Sequence, residues 1–339
     1  NQGALESFKH ALAGAREAGD QRLIGLVLAF MVVNTTRLGD QETAATLALE
    51  ALSLLDLIEE EDTRARILTN VAVYYTECGD IGKGAELYQR QIELTRHMGN
   101  RFGEALGLGN LGYIYLQLGL FEEGRKALEQ ASQITEDLEA RRNHAYNMLN
   151  LGLAQWRAGD PIAGRKCIEE HACSEFAATQ DLFGLGASNY YLGLCREAAG
   201  DHAAAMNAYH DARDALNEIN VHGMAMDALA GLVRCEFEQG NIDQASAHTD
   251  ELWAFLRKEG SHGMEFPLMA YLACGRMSET CGKDGDAKAA LKMGYDELMT
   301  RAEKISDKDW RKSFLENIPE HRRLVEAKDR WAGETTLDK

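Results

Sequence analysis

Seven glycines recur at a nearly constant interval: Gly39, Gly79, Gly119, Gly159, Gly200, Gly240 and Gly282, separated by 40, 40, 40, 41, 40 and 42 residues. Five of them are followed at once by Asp40, Asp80, Asp160, Asp201 or Asn241. Glycine lets a helix end in the left-handed conformation, and Asp or Asn caps the start of the next helix. A fixed period of this size is the signature of one supersecondary unit stacked many times.

Each glycine lies between two runs with helical periodicity. Leu108, Leu111, Gly112 and Tyr115 fall on one face of a helix, and Phe121, Gly124, Leu128 and Ala131 fall on one face of the next. Leu151-Gly152 and Leu192-Gly193 reproduce Leu111-Gly112. The position five residues after the first six turn glycines holds Ala44, Gly84, Gly124, Gly164, Ala205 and Ala245. Smallness at that slot is a packing requirement, because it lets the second helix of a hairpin (helix B) approach the first (helix A) closely.

The pattern resembles the tetratricopeptide repeat (TPR), and Asn110-Leu111-Gly112-Tyr113-Ile114-Tyr115 followed by Gly119 matches it best. The resemblance implies an all-α, right-handed α-solenoid, a TPR superhelix of about seven helix-turn-helix repeats, with a leading half-repeat and a C-terminal cap. The expected solenoid covers 1–305: a half-repeat at 1–19, then repeats at 20–60, 61–100, 101–140, 141–180, 181–220, 221–260 and 261–305. Capping helices are expected at 306–331 and a disordered tail at 332–339. Val233, Thr249 and the run Lys283-Asp284-Gly285 depart from the repeat pattern. An opening half-hairpin bearing Ala4, Phe8 and Ala11 suggests a piece of a longer protein. The array and its tail are similar to the TPR regions of large bacterial signalling proteins, which place ATPase, cyclase or DNA-binding domains beside the repeats.

Composition narrows the function. The formal net charge is −18, so a phosphate-binding face for nucleic acid is not expected. Apolar residues make up 45 % of the chain, as in globular proteins. The longest apolar run, Ile24 to Val33, is too short to span a bilayer. Seven cysteines without a paired framework point to a reducing cytoplasm. Cys167, His171 and Cys173 could approach one another, but a fourth ligand for zinc is not apparent, and no metal or other cofactor is expected. No phosphate-cradling glycine loop or local nucleophile–base motif is present, and the chain is not expected to be an enzyme.

Helix A of a TPR hairpin lines the inner surface. The stripe beside the core-facing one reads Arg66, Asn70, Val73, Glu77, then Leu106, Asn110, Tyr113, Gln117, then Tyr146, Asn150, Leu153, Arg157. Asn70, Asn110 and Asn150 are 40 residues apart and form an expected ladder of amides. Each amide carries donors and an acceptor, suited either to the backbone of an extended peptide or to bracing the neighbouring repeat. Tyr113, Tyr146, Trp156 and Tyr191 flank the ladder as anchors or as packing between A helices. Arg234 and Arg276, equivalent in successive repeats, could hold a carboxylate or pair with Glu238 and Glu279.

These features favour a non-enzymatic sensor or scaffold module of a bacterial regulatory protein, binding a protein or peptide, or a neighbouring domain of the same protein, in its groove. Two other readings follow from the same residues. One is a domain that senses a small-molecule inducer. The other is a scaffold that self-associates through the open half-repeat.

Overall fold

The computed structural model describes the backbone of residues 2–337, and the side chains within it except those of residues 2, 4, 37 and 329–337. The chain forms two compact units, residues 1–139 with 303–311, and residues 140–302 with 312–339. The described residues contain helices and turns and no strand.

The first unit begins with α1 (Gln2–Ala18), α2 (Gln21–Arg37) and α3 (Gln41–Ser53). A short 3-10 turn follows at Leu55–Leu57, then α4 (Glu61–Glu77), α5 (Ile81–His97), α6 (Arg101–Gln117) and α7 (Phe121–Asp137). The second holds α8 (Arg141–Arg157), α9 (Pro161–His171), α10 (Cys173–Ala178), α11 (Leu182–Ala198), α12 (His202–Glu218), α13 (His222–Glu238), α14 (Ile242–Glu259) and α15 (Pro267–Thr280). The chain ends with α16 (Asp284–Lys304), α17 (Lys308–Glu316) and α18 (Pro319–Leu337). Residues 303–311, at the α16–α17 junction, belong to the first unit. Part of the expected tail at 332–339 is therefore helical through Leu337, and residues 338 and 339 lie outside the described residues.

The periodic glycines end the A helices. In the second repeat the Gly79 amide donates to the Thr76 carbonyl at 3.1 Å and the Asp80 amide to Tyr75 at 2.8 Å, the bonds of a left-handed C-terminal cap. Gly79 has φ 77°, and Asp80 then accepts the Lys83 amide at 3.1 Å as an N-cap. The B-to-A turns follow the same period with a different residue set. Gly19, Gly99 and Gly260 take positive φ there, and so do Glu139, Gln180 and Asn220, at 52°, 52° and 60°.

The small slot brings backbones together. A Cβ placed on Gly124 would sit 2.9 Å from the Gly112 carbonyl oxygen, and one on Gly164 would sit 2.6 Å from that of Gly152. Ala44, Ala205 and Ala245 fill the same slot with no exposure. The core is a row of such contacts between the A and B helices, extended by Leu28, Leu68, Leu128, Ile168 and Tyr209, each fully buried. Val233, a departure from the repeat pattern, packs with Ala245, Ala273 and Met277, and Thr249 is buried. The fourth repeat deviates: its second helix breaks at Ala172 (φ −100°, ψ −50°) into α9 and α10.

Candidate ligand-binding site

In the first unit, α4 and α6 both pack on α5. Arg66 and Asn70 lie on α4, Asn110 and Tyr113 on α6, in the same register. Arg66 is largely exposed and is bound to Asp62 at 2.8 Å. Asn110 is exposed, and Asn70 and Tyr113 are half-buried. Neither amide makes a side-chain hydrogen bond among the described residues. The returning segment 303–311 also packs on this unit. Lys304 Nζ donates to the Cys78 carbonyl at 2.8 Å, Ile305 lies against Gly82, and the Trp310 ring meets Tyr115 edge-on at 6.1 Å.

In the second unit the expected site residues separate into groups. Asn150 is half-buried and makes no side-chain hydrogen bond among the described residues. Tyr146 donates to Asp181 Oδ2 at 2.9 Å and packs on Phe176, which joins α8 to α10 and α11. Burial raises the Tyr146 hydroxyl to about 12, and Asp181 adds to the rise. Tyr191 is buried, and its hydroxyl donates to Glu265. Arg157 is engaged by the end of the chain: its guanidinium donates to both Glu320 oxygens at 3.0 and 2.7 Å. Both side chains are more than nine-tenths buried, at 6 % and 8 % exposure. The same guanidinium lies 4.5 Å from the Trp156 ring centre and 4.9 Å from that of Phe266. Burial alone would raise the Glu320 carboxyl, but the Arg157 charge and hydrogen bonds outweigh it and hold the group at about 2.

Arg234 and Arg276 each reach back one repeat. Arg234 makes a two-bond fork with Glu197 at 2.7 and 2.8 Å, and Arg276 binds Glu238 at 2.7 Å. The expected partners Glu238 and Glu279 are thus replaced by Glu197 and Glu238, because the bridge runs between successive A helices and not along one. Tyr209 donates to Glu197 at 2.6 Å and stacks near Tyr190. Burial would raise the Glu197 carboxyl, yet the Arg234 charge keeps it below its ordinary value. Burial opposes the Arg234 charge, and Glu197 more than offsets it.

Beside this pair opens a cavity of about 350 Å³. Trp156, Leu194, Ala198 and Met269 give it apolar surface; Glu197, Arg234, His202, Glu238, Arg276 and Arg323 give it polar groups. Arg234 Nη1 and His202 Nδ1 are buried and have no hydrogen-bond partner among the described residues. Arg323, on α18, is exposed and has no ion pair among the described residues. Glu197, His202, Met269 and Arg323 escaped the sequence reading. The spacing of Glu197 and Arg234, 37 residues and so close to one period, is the signal that could have found the first of them.

Among the described residues, no group of three His, Cys, Asp or Glu side chains is placed to hold a metal ion. Cys167 donates to the Met148 carbonyl at 3.2 Å. No helix in the described residues is long and apolar enough to cross a membrane.

No known family profile matches the chain, and no curated relative does. Solved structures match its fold. The Rap conjugation gene regulator of the plasmid pLS20, in complex with the Phr* peptide, is 14 % identical with a TM-score of 0.64, over 87 % of this chain and 79 % of that one. NprR in complex with its cognate peptide NprX is 12 % identical with a TM-score of 0.62, over 97 % and 99 %. A STAND protein with a tetratricopeptide repeat sensor from Pyrococcus horikoshii is 15 % identical with a TM-score of 0.59, over 89 % of this chain and 46 % of that one. The chain is an all-α solenoid of TPR-like helical hairpins, with the fold seen in Rap, NprR and the STAND sensor.

Proposed function

We propose that this chain is a non-enzymatic peptide-binding module of a regulatory or signalling protein, and that the face of α4 and α6 in the first unit receives the peptide. Asn70 and Asn110 carry the reading: two amides in the same register of successive A helices, neither with a side-chain hydrogen bond among the described residues. Each offers a donor pair and an acceptor, which is what the N–H and C=O groups of an extended chain require. Such bonds hold a backbone without reading its side chains, and Tyr113 and Arg66 beside them supply an aromatic surface and a charge for selectivity. Proteins of this fold have been solved with peptides, NprR with NprX and a Rap regulator with Phr*.

The test is selection from a display library of random heptapeptides on the intact chain. Peptides recovered from the parent protein should lose about tenfold or more in affinity on Asn70→Ala with Asn110→Ala, while circular dichroism and melting stay unchanged. Equal affinity in the double variant rejects this face as the site.

A further inference from the structure

The cavity in the second unit has its own chemistry. Within an acidic chain of net charge −18, it gathers three arginines against two glutamates. Two of those arginines are committed, Arg234 to Glu197 and Arg276 to Glu238, but the commitment is incomplete. The fork between Arg234 and Glu197 uses Nε and Nη2 and leaves Nη1 buried without a hydrogen-bond partner among the described residues. A buried guanidinium nitrogen without an acceptor is costly. His202 Nδ1 stands in the same position on α12. Arg323 adds a third cation from α18, free of any ion pair among the described residues. Trp156, Leu194 and Met269 complete the lining with apolar surface, and the volume, about 350 Å³, falls within the range of small-molecule sites.

We infer that this cavity binds a monocarboxylate with an apolar body: the carboxylate accepts from Arg234 Nη1 and Arg323, and the body packs on Trp156, Leu194 and Met269. One extra positive charge fits one carboxylate, and the planar guanidinium donates in the fork geometry that a carboxylate accepts. The site is independent of the amide pair on α4 and α6, which lies in the other unit. The same chemistry is presented by a free organic acid and by the C-terminal residue of a peptide.

The experiment measures binding by calorimetry and melting shift on the full chain. One arm uses aryl and alkyl acetates such as indole-3-acetate, each beside its uncharged amide. The other uses short peptides ending in Leu or Phe, with free and amidated C-termini. The expected result is binding of the acid and not of its amide in one arm or both, and the arm that responds names the source. Arg323→Gln, an exposed substitution, should weaken that binding about tenfold without lowering the melting temperature of the free protein. Trp156→Leu should weaken it as well. If acids bind no better than amides in both arms, or if Arg323→Gln leaves the affinity unchanged, the assignment is overturned. Loss of peptide binding in the Asn70/Asn110 variant with acid binding intact separates this site from the one on α4 and α6.

Discussion

At the scale of single residues, the period dictates conformation more strongly than identity. The A-to-B turns are glycine in every repeat, and the sequence shows it. The B-to-A turns obey the same rule less visibly, since Glu139, Gln180 and Asn220 accept a positive φ that Gly19, Gly99 and Gly260 take freely. A side chain there costs energy, so Gln180→Gly, at an exposed turn, is expected to stabilise the chain by ~0.5–1 kcal/mol in urea denaturation. The opposite holds at the slot of close approach. Gly164→Ala would place a methyl 2.6 Å from the Gly152 carbonyl oxygen, and a loss of about 1–3 kcal/mol is expected from the same measurement. Smallness at this slot was legible because six copies repeat it. Orphaned atoms such as Arg234 Nη1 were not, because satisfaction of a hydrogen bond depends on geometry that no spacing encodes.

At the scale of elements, α18 is the part that the repeat pattern describes least. Its first turn buries Glu320 against Arg157 and places His321 in van der Waals contact with Phe314, whose carbonyl accepts from His321 Nδ1 at 2.7 Å. Arg157→Met alone leaves the Glu320 carboxylate buried without its cation, and an expected cost of about 3–5 kcal/mol follows; Glu320→Leu added to it should restore much of the loss. The docking is also sensitive to acid. Burial depresses the His321 pKa from 6.5 to about 4, with Arg157 and Arg301 opposing its charge and Glu320 favouring it. Between those values the unfolded chain binds the extra proton, so this contribution is complete above about 6.5 and fades as pH falls towards 4. Glu320 acts in the same direction over a lower window, from its ordinary 4.5 down to about 2. Hydrogen exchange of the α18 amides across this range should show protection falling with pH, and His321→Phe should flatten the upper part of the fall.

At the scale of the whole molecule, the hairpin array was legible from its period, and the return of the chain upon itself was not. Glu320 meets Arg157 across 163 residues of sequence, a separation unrelated to the repeat. Residues 303–311 lie in the first unit and residues 312–339 in the second, so the end of the chain contributes to each. Truncation after Ala302 is expected to lower protection at the Cys78–Gly82 turn, where Lys304 and Ile305 pack, and at the end of α8, where Arg157 loses its partner. Exchange confined to one of these places would contradict the contacts described. The Arg157–Glu320 bridge also imposes an order on biosynthesis. Chains emerge from the ribosome N-terminus first, so the second unit's hairpins are complete while Arg157 still lacks its carboxylate. During that interval Trp156 and Phe266 flank a bare guanidinium, and the nascent protein offers an acid-seeking surface that the finished one hides.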